Sequence, residues 1–361
     1  MTDFTTIGIR VDGDANIGMG HVMRCISLAE ALQCNGFKAL FICATPDPVS
    51  TIRSKGFDVI VLQTAICTSD YGAAFDDAAI DLFNSELPEI IALIKKHRLA
   101  YMVLDSYAIR DDYASCVNST CKTFAFCGHR LLHRGLTIAC DYNLSASAQW
   151  LNDTFARQGT QVLCGPRYAP LRSAYWTPFT AESKRSRRSI LLTTGSTDKF
   201  GVTEKILSEF CHHKSFENVD KHVAIGSFFP HKERLYAMSA DDPTIIPHDN
   251  PALFDLFSKV DVAISAAGTT VYELMAVGIP ACFFALVDNQ LLVEGSLKDL
   301  GYCGDIRKHE GKECLKHIID RAEELLSSKE KRTRVSRQYK TLTDGKGALR
   351  IARAIAESIH N

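Results

Sequence analysis

The stretch "DGDANIGMGHVMRC", residues 12–25, decides how the first part of the chain folds. The apolar run "IGIRV" before it is typical of a buried strand, and "VMRCISLAEALQCNGF" after the loop has a helical pattern. Three glycines, Gly13, Gly18 and Gly20, crowd the loop between them. A glycine loop that leads into a helix points backbone N–H groups and the positive end of the helix dipole at one spot. The stretch therefore predicts a strand–loop–helix unit that binds a ligand.

A single histidine, His21, stands where this loop becomes helix. The spacing of the glycines matches neither the dinucleotide fingerprint nor the P-loop, which would need Gly-Lys-Ser/Thr. A nearby positive helix end disfavours the imidazolium, and a neutral imidazole can act as a general base. The same position also suits a histidine that only caps the helix. The spacing alone favours neither role over the other.

Composition excludes several classes of protein. The chain has 361 residues, enough for two domains, and its 46% hydrophobic and 23% charged residues are normal for a packed globular protein. A net charge of −1 provides no basic field for nucleic acid or anionic membranes, and the short basic run at 184–188 is read as a linker. No apolar run reaches the roughly 20 residues of a membrane helix.

The amino terminus and the cysteines indicate a cytoplasmic protein. The start "MTDFTTIGIRV" lacks the basic residues and long apolar core of a signal peptide. The 13 cysteines are an odd number and form no Cys-x-x-Cys pair, so free thiols in a reducing compartment are expected.

Apolar runs alternate with helical patterns along the whole chain, which predicts parallel sheets covered by helices on both faces. The stretch at 167–188, rich in proline, serine and charge, interrupts this alternation. We therefore expect an α/β protein with two Rossmann-like domains, 1–178 and 186–361, facing each other across a cleft. The final helical stretch could pack back on the first domain.

A second strand–turn–helix pattern occurs at 265–280, "SAAGTTVYELMAVGIP". Backbone amides of Gly268, Thr269 and Thr270 could hold a phosphate. Glu273 lies one turn into the helix, where its carboxylate could bind ribose hydroxyls or simply complement the helix dipole. The stretch "TTGSTDKFG", 193–201, has a similar pattern and could be only a tight turn.

Two further clusters carry weaker signals. Cys127, His129, His133 and Cys140 superficially resemble zinc ligands, but the Cys-x-His spacing matches no ordinary zinc module, so no metal is expected. The second cluster, Asp105, Ser106 and Tyr107, ends a buried strand and either faces a ligand or caps the next helix. Without other evidence, helix capping is the better interpretation of this cluster.

Taken together, the motifs resemble the UDP-sugar hydrolases of pseudaminic acid biosynthesis, commonly called PseG, which are similar to GT-B glycosyltransferases such as MurG. The resemblance begins with "RVDGDANIGMGHVMRC" and the strand that ends "LDSY". It continues through "CGPRYAPLRSAYW", "ILLTTGSTD", "AISAAGTTVYELMAVGIPACFFALVDNQ" and "TDGKGALRIARAI", in the expected order over nearly the whole chain.

The resemblance implies a GT-B fold, no cofactor and no metal. The implied reaction is hydrolysis of UDP-2,4-diacetamido-2,4,6-trideoxy-β-L-altropyranose to UDP and the free sugar, a precursor of nonulosonic acid. The resemblance assigns catalysis to His21 and sugar binding to Tyr107. Further substrate contacts are implied for the loop, the nucleotide-binding turn and a polar pair, namely Asp12, Gly18, Gly20, Gly268, Thr269, Thr270, Glu273, Asn289 and Gln290.

The residues and the resemblance suggest one mechanism and leave two alternatives open. His21 would deprotonate a water that attacks the sugar carbon with inversion, while backbone amides and helix dipoles stabilise the departing UDP. A glycosyltransferase would use His21 on an acceptor hydroxyl instead, and a nucleotide-sugar sensor would bind without turnover. The chain departs from the family at Cys127-Gly128, where acidic residues are common, and at Gly195-Ser196, where a glycine pair is usual.

Overall fold

The structure is a computed structural model that describes residues 4–360 except 15–17, 64–83, 107–108, 128–133, 156–158, 181–186, 196, 199, 287, 292 and 308–310, and except the side chains of 288 and 289. The chain divides into two compact units. Unit 1 consists of Met1–Ser173 together with Lys346–Asn361, and unit 2 consists of Ala174–Gly345. The last stretch of sequence therefore belongs to the same unit as the first.

In the part of the chain that the structure describes, unit 1 has a parallel sheet of seven strands, numbered along the chain and arranged in the order β3-β2-β1-β4-β5-β6-β7. The strands are β1 Thr6–Val11, β2 Lys38–Cys43, β3 Asp58–Val61, β4 Tyr101–Asp105, β5 Lys122–Phe126, β6 Ile138–Asp141 and β7 Gln161–Cys164. The described helices of this unit are α1 Gly20–Cys34, α2 Val49–Ser54, α3 Leu87–His97, α4 Asp111–Asn118, α5 Ala148–Phe155 and, after unit 2 in the chain, α14 Gly347–His360, with a 3₁₀ turn at Pro166–Tyr168.

Among its described residues, unit 2 has a parallel sheet of six strands in the order β10-β9-β8-β11-β12-β13. Its strands are β8 Arg188–Thr193, β9 Val219–Ile225, β10 Ile245–Asp249, β11 Val262–Ala266, β12 Ala281–Ala285 and β13 Tyr302–Asp305. Its described helices are α6 Val202–Cys211, α7 Lys232–Asp241, α8 Leu253–Phe257, α9 Thr270–Val277, α10 Asp288–Leu291, α11 Glu294–Leu297, α12 Gly311–Ser327 and α13 Lys329–Leu342, and 3₁₀ turns lie at Ser173–Tyr175 (a turn that begins in unit 1), Lys214–Phe216 and Lys298–Leu300.

Most positions of the central strands are apolar because helices cover both faces of each sheet. Strand β1 pairs with β2 and β4 on its two sides, so that Ile9 lies opposite both Phe41 and Val103, and these three side chains are fully buried. Helix α14 packs against α1. The predicted α/β architecture of two Rossmann-like parallel sheets is confirmed.

The described residues bear on two expectations from composition, namely free thiols and no membrane-spanning helix. Every cysteine in the described chain is a free thiol. None of the helices that the structure describes has the length and hydropathy needed to cross a bilayer.

A close contact explains the first glycine of the loop between β1 and α1. A Cβ atom on Gly13 would lie 2.7 Å from Cγ2 of Val22 and 3.2 Å from the carbonyl oxygen of Gly18. Gly18 itself has φ +76°, a conformation that glycine adopts without strain. Its N–H donates to the Asp14 carbonyl oxygen at 2.8 Å, which closes the loop before the helix begins.

We expect Gly13→Ala to lower the free energy of unfolding by about 1–3 kcal/mol, because the added methyl group overpacks the contact with Val22. The matched control is Gly20→Ala, since a Cβ at Gly20 meets nothing within 4 Å. Urea unfolding of both variants measures the difference. Equal stability of the two variants would contradict the close approach at Gly13.

Candidate active site

The strand orders place one ligand-facing edge in each unit. In unit 1 the order reverses between β1 and β4, and in unit 2 it reverses between β8 and β11. Ligands of open parallel sheets bind beyond the carboxyl ends of strands at such reversals. The loop at 12–19 follows β1 and Asp105 ends β4, so both lie at the reversal in unit 1. The turn at 267–269 follows β11 at the reversal in unit 2.

His21 is the second residue of α1 and contacts the end of β4. Its Nδ1 lies 2.7 Å from Oδ1 of Asp105, and both side chains are buried. A carboxylate oxygen can only accept, so Nδ1 is the donor in this pair. The neutral ring therefore carries its proton on Nδ1 and its lone pair on Nε2, the nitrogen that a general base would use.

Asp105 accepts hydrogen bonds on both of its oxygens. Oδ1 accepts from Nδ1 of His21 and from Nη2 of Arg24, while Oδ2 accepts from Nε of Arg24 at 2.6 Å and from Sγ of Cys25 at 3.3 Å. Burial alone would raise the pKa of this carboxyl, but Arg24 and His21 outweigh it and hold the pKa well below its usual range. A carboxylate with four donors is suited to orienting the ring and not to attacking a substrate.

Arg24 follows His21 by three residues on the same helix and is held by aromatic residues. Its Nη1 donates to the Tyr142 hydroxyl at 3.0 Å, and its guanidinium lies 4.8 Å from the centre of the Phe126 ring. Nη2 also comes within 2.9 Å of Nδ1 of His21. Because that nitrogen is already a donor to Asp105, this approach reflects two donors that converge on one carboxylate oxygen.

The other predicted residues of the first loop have different surroundings. Asp12 is buried, with Oδ2 accepting from Nη1 of Arg10 at 2.5 Å and Oδ1 accepting from the Ala44 N–H at 2.7 Å. Its carboxylate is thus engaged inside the protein and holds the start of the loop. Gly20 begins α1 and is exposed. Tyr107 lies outside the described residues.

The turn at 267–269 in unit 2 leads directly into helix α9. The Gly268 N–H donates to the Ala266 carbonyl oxygen at 2.8 Å, so this amide is engaged within the turn. Thr269 precedes the helix and Thr270 begins it, and the first N–H groups of a helix have no carbonyl of a preceding turn to bind. The phosphate site predicted for Gly268, Thr269 and Thr270 therefore depends mainly on the two threonine amides.

A side-chain cap distinguishes the start of α6 from the start of α9, both in unit 2. At α6, Asp198 accepts from the N–H groups of Val202 at 2.8 Å and Thr203 at 2.9 Å, so the protein's own carboxylate occupies that helix terminus. At α9, Thr269 makes no side-chain cap hydrogen bond within the part of the chain that the structure describes. Because Asp198 already occupies the start of α6, the start of α9 is the better anion site.

Glu273 and Gln290 lie near this turn. Glu273 is in the first turn of α9 and is partly exposed. Oε1 of Gln290 accepts from the Leu286 N–H at 2.7 Å, and its Nε2 lies 3.7 Å from the point where a Gly268 Cβ would be. The backbone of Asn289 is in α10, whereas its side chain is outside the described part of the structure.

The suggested zinc cluster receives no support from its described members. His129 and His133 lie outside the described residues, as does Gly128 of the departure at Cys127-Gly128. Burial raises the pKa of the Cys127 thiol to about 12 and that of Cys140 well above its usual range, which opposes the thiolate form that binds metals. Among the described residues, no group of three potential ligands is placed to hold a metal ion.

Sequence reasoning missed two features of this site. It treated Asp105 as a helix cap, although the carboxylate accepts from His21 and Arg24, and it did not consider Arg24. A signal for both existed, because Arg24 is one helical turn after His21 and Asp105 ends a strand that pairs with β1. The signal for the Asp198 cap was its position just before a helical pattern.

We expect Asp198→Ala to lower the free energy of unfolding by about 0.5–2 kcal/mol, because two N–H groups at the start of α6 lose their acceptor. Asp198→Asn is the matched control and keeps an oxygen at the cap. Thermal or urea unfolding of the two variants provides the comparison. An Asp198→Ala protein as stable as the Asn variant would show that the cap contributes little.

Comparisons with known proteins support the fold. No family model matches the chain. An uncharacterized protein of Methanocaldococcus jannaschii is 24% identical over 297 residues, which cover 79% of this chain and 56% of that protein. The chain thus spans only about half the length of this relative. The spore coat polysaccharide biosynthesis protein SpsG of Bacillus subtilis is 23% identical over 364 residues, with 98% of each protein covered.

Solved structures with the same fold include glycosyltransferases. MurG of Acinetobacter baumannii superposes with a TM-score of 0.67 at 14% identity and covers 98% of this chain and 99% of its own. UGT89C1 of Arabidopsis thaliana, solved with UDP-L-rhamnose, has a TM-score of 0.63 at 12% identity over 94% of both chains. The chain therefore has the GT-B type of fold, with two Rossmann-like domains.

Proposed function

We propose that this protein is a metal-independent hydrolase of a UDP-sugar, cleaving the C1–O bond of a UDP-2,4-diacetamido-trideoxy sugar in pseudaminic acid biosynthesis. The observation that carries the proposal is the pair of Nδ1 of His21 and Oδ1 of Asp105, 2.7 Å apart at the strand reversal of unit 1. In the neutral ring this pair holds the proton on Nδ1 and leaves the lone pair on Nε2, which is what a general base for water requires.

The chemistry of the buried groups favours direct attack by water. Asp105 is fully occupied by donors, so it is a poor nucleophile and a good orienter of His21. His21 would take a proton from the water as its oxygen bonds to the sugar carbon and the bond to the diphosphate oxygen breaks. A single displacement inverts the anomeric centre and needs no second catalytic carboxylate.

The departing nucleotide would be stabilised by unit 2. The amides of Thr269 and Thr270 and the positive end of α9 suit a diphosphate that gains negative charge in the transition state. Glu273 would accept hydrogen bonds from the ribose hydroxyls, and Gln290, beside Gly268, would add a polar contact. Asp12, Gly18 and Gly20 would shape the loop that carries His21, and Tyr107 and Asn289 would contact the substrate.

Three lines support this particular substrate class. The sequence blocks that resemble the PseG hydrolases run through nearly the whole chain. The Bacillus relative is named for polysaccharide biosynthesis, and one protein of the same fold was solved with a UDP-sugar. We further propose that the protein acts in the cytoplasm, where nucleotide sugars are made, and that its two domains are 1–178 and 186–361, with the terminal helix α14 packed back on the first of them.

A second candidate function is glycosyl transfer, favoured by the glycosyltransferases among the proteins of the same fold. In that reaction the same histidine would deprotonate an acceptor hydroxyl. Water and a sugar hydroxyl present the same atom to His21, so the two candidates differ in what the enzyme accepts and not in the base.

The deciding experiment incubates the protein with a panel of UDP-diacetamido sugars in ¹⁸O-labelled water without any acceptor. We expect UDP release, solvent oxygen in the free sugar, and an inverted anomer in an early NMR spectrum. Turnover only after an acceptor is added would identify a transferase, and UDP binding without turnover would identify a sensor. Label in the nucleotide, or a sugar phosphate product, would exclude attack at carbon.

His21→Asn should fold normally and lose about 100- to 10,000-fold in turnover, the usual share of a positioned base. His360→Asn, an exposed position at the end of α14, is the control and should keep full turnover. Steady-state rates of UDP release measure both. A well-folded His21→Asn protein with normal turnover would remove His21 from the mechanism.

Glu273→Ala should weaken UDP binding more than it slows the chemical step, because contacts to the ribose are similar in ground and transition states. Glu330→Ala is the matched control, since Glu330 is an exposed glutamate in the first turn of α13 and shares only the interaction with a helix dipole. Calorimetry with UDP compares them. If both variants bind as the parent protein does, Glu273 has no ribose contact.

A further inference from the structure

We propose that Arg24 is a positioning residue for His21: it cancels the charge of Asp105, so that Asp105 orients the ring without drawing a second proton onto it. This inference rests on the proposed role of His21 as a base. Arg24 would act through Asp105 and His21 and would not itself take the proton from water. The argument starts from the contacts that the three side chains share.

Arg24 and His21 bind the same carboxylate. Nε of Arg24 donates to Oδ2 of Asp105 at 2.6 Å, and its Nη2 donates to Oδ1, the same oxygen that accepts from Nδ1 of His21. The guanidinium thus binds the carboxylate with both arms, a geometry that arginine provides and lysine does not. The orientation of Asp105, and through it that of the ring, is coupled to Arg24.

Burial makes this charge pairing strong. The Asp105 side chain is 1% exposed, the His21 side chain 9% and the Arg24 side chain 18%. Charges separated from water interact over short distances with far more energy than the same charges at a surface. A buried carboxylate without a cation would have to find a proton or another positive group.

Aromatic residues hold Arg24 in place independently of His21. The Tyr142 hydroxyl accepts from Nη1 at 3.0 Å, the guanidinium lies over the Phe126 ring, and the Tyr142 ring is 5.9 Å away. Arg24 is therefore fixed against β5 and the end of β6 as well as against Asp105. Arg24 therefore remains a cationic partner of the Asp105 carboxylate whether or not the His21 ring is protonated.

In the described part of the chain, charged and titratable groups that contact His21, Asp105 or Arg24 lie on or directly after three elements. Helix α1 contributes Arg24 and Cys25, β4 contributes Asp105, and Tyr142 follows β6. Burial and Asp105 raise the pKa of the Cys25 thiol, which therefore remains a neutral donor. The charges of the guanidinium and the carboxylate sum to zero, so a proton on His21 would give this group of three side chains a net positive charge. Without Arg24, the same proton would instead compensate Asp105.

The test is ¹⁵N NMR of the full-length protein with labelled histidine, with the His21 signals assigned by their loss in His21→Asn. In the parent protein at pH 7.5 we expect one protonated nitrogen, Nδ1, and a lone pair on Nε2. In Arg24→Gln we expect both nitrogens to be protonated in most molecules. In Arg24→Lys, which keeps the charge, and Tyr142→Phe, which leaves the charges unaltered, we expect the parent state.

A second variant keeps the test decisive if Arg24→Gln fails to fold. In the double variant Asp105→Asn/Arg24→Gln neither charge remains, so we expect a folded protein with a neutral ring. A neutral ring in a folded Arg24→Gln protein would overturn the proposal. So would a doubly protonated ring in the double variant, because charge balance would then not control the proton.

The NMR readout needs no substrate, so it separates this inference from the proposed function. If the protein hydrolyses a UDP-sugar, Arg24→Gln should also lower kcat at pH 7.5 by about tenfold or more with little change in KM, as expected when a base loses its lone pair. Arg24→Lys should recover part of that loss. If no UDP-sugar is turned over, the protonation states still decide whether Arg24 balances Asp105.

Discussion

A guanidinium buried inside a parallel sheet has to be matched by carboxylates, and Arg10 imposes this condition on unit 1. Its Nε and Nη2 donate to the two oxygens of Glu86 at 2.7 and 2.8 Å, and its Nη1 donates to Asp12. Burial alone would lower the pKa of Arg10, but the two carboxylates raise it well above its usual value. Glu86 immediately precedes α3, and it also accepts from the Tyr113 hydroxyl of α4. One buried cation thus ties β1 to two helices and to the start of the loop that carries His21.

At the candidate site, buried charges are also paired, but there the central group is a carboxylate and not a cation. Around Arg10 the cation is enclosed by its carboxylates, which serves rigidity. Around Asp105 the carboxylate is enclosed by donors, and one of them, His21, can gain or lose a proton. Both clusters lie on strands next to each other, β1 and β4, so the cluster around Arg10 stands beside the one around Asp105. The candidate site is thus a buried charge cluster, Asp105 with Arg24, to which a titratable side chain, His21, is added.

Local sequence pattern predicts much of this architecture and little of its side-chain network. Most strands are largely apolar runs, and three glycines mark the loop before α1, so both sheets and the position of His21 follow from the sequence. Asp105 is 84 residues from His21 in the chain, and Glu86 is 76 residues from Arg10. Such contacts depend on which strands become neighbours, which periodicity does not reveal. Residue types alone therefore left Asp105 as a cap and gave Arg24 no role.

The return of α14 to unit 1 affects the order in which the protein can assemble during synthesis. Unit 2 is one continuous segment, Ala174–Gly345, whereas unit 1 needs Lys346 and the residues after it. Residues of α14 such as Ile351 and Ile355 are fully buried, and the helix packs on α1, which bears His21 and Arg24. On the ribosome the second unit is therefore the first whose sequence is complete, although domains usually fold from the amino terminus. Helix α1, which carries His21, therefore keeps one side uncovered until residues 347–360 have been synthesised.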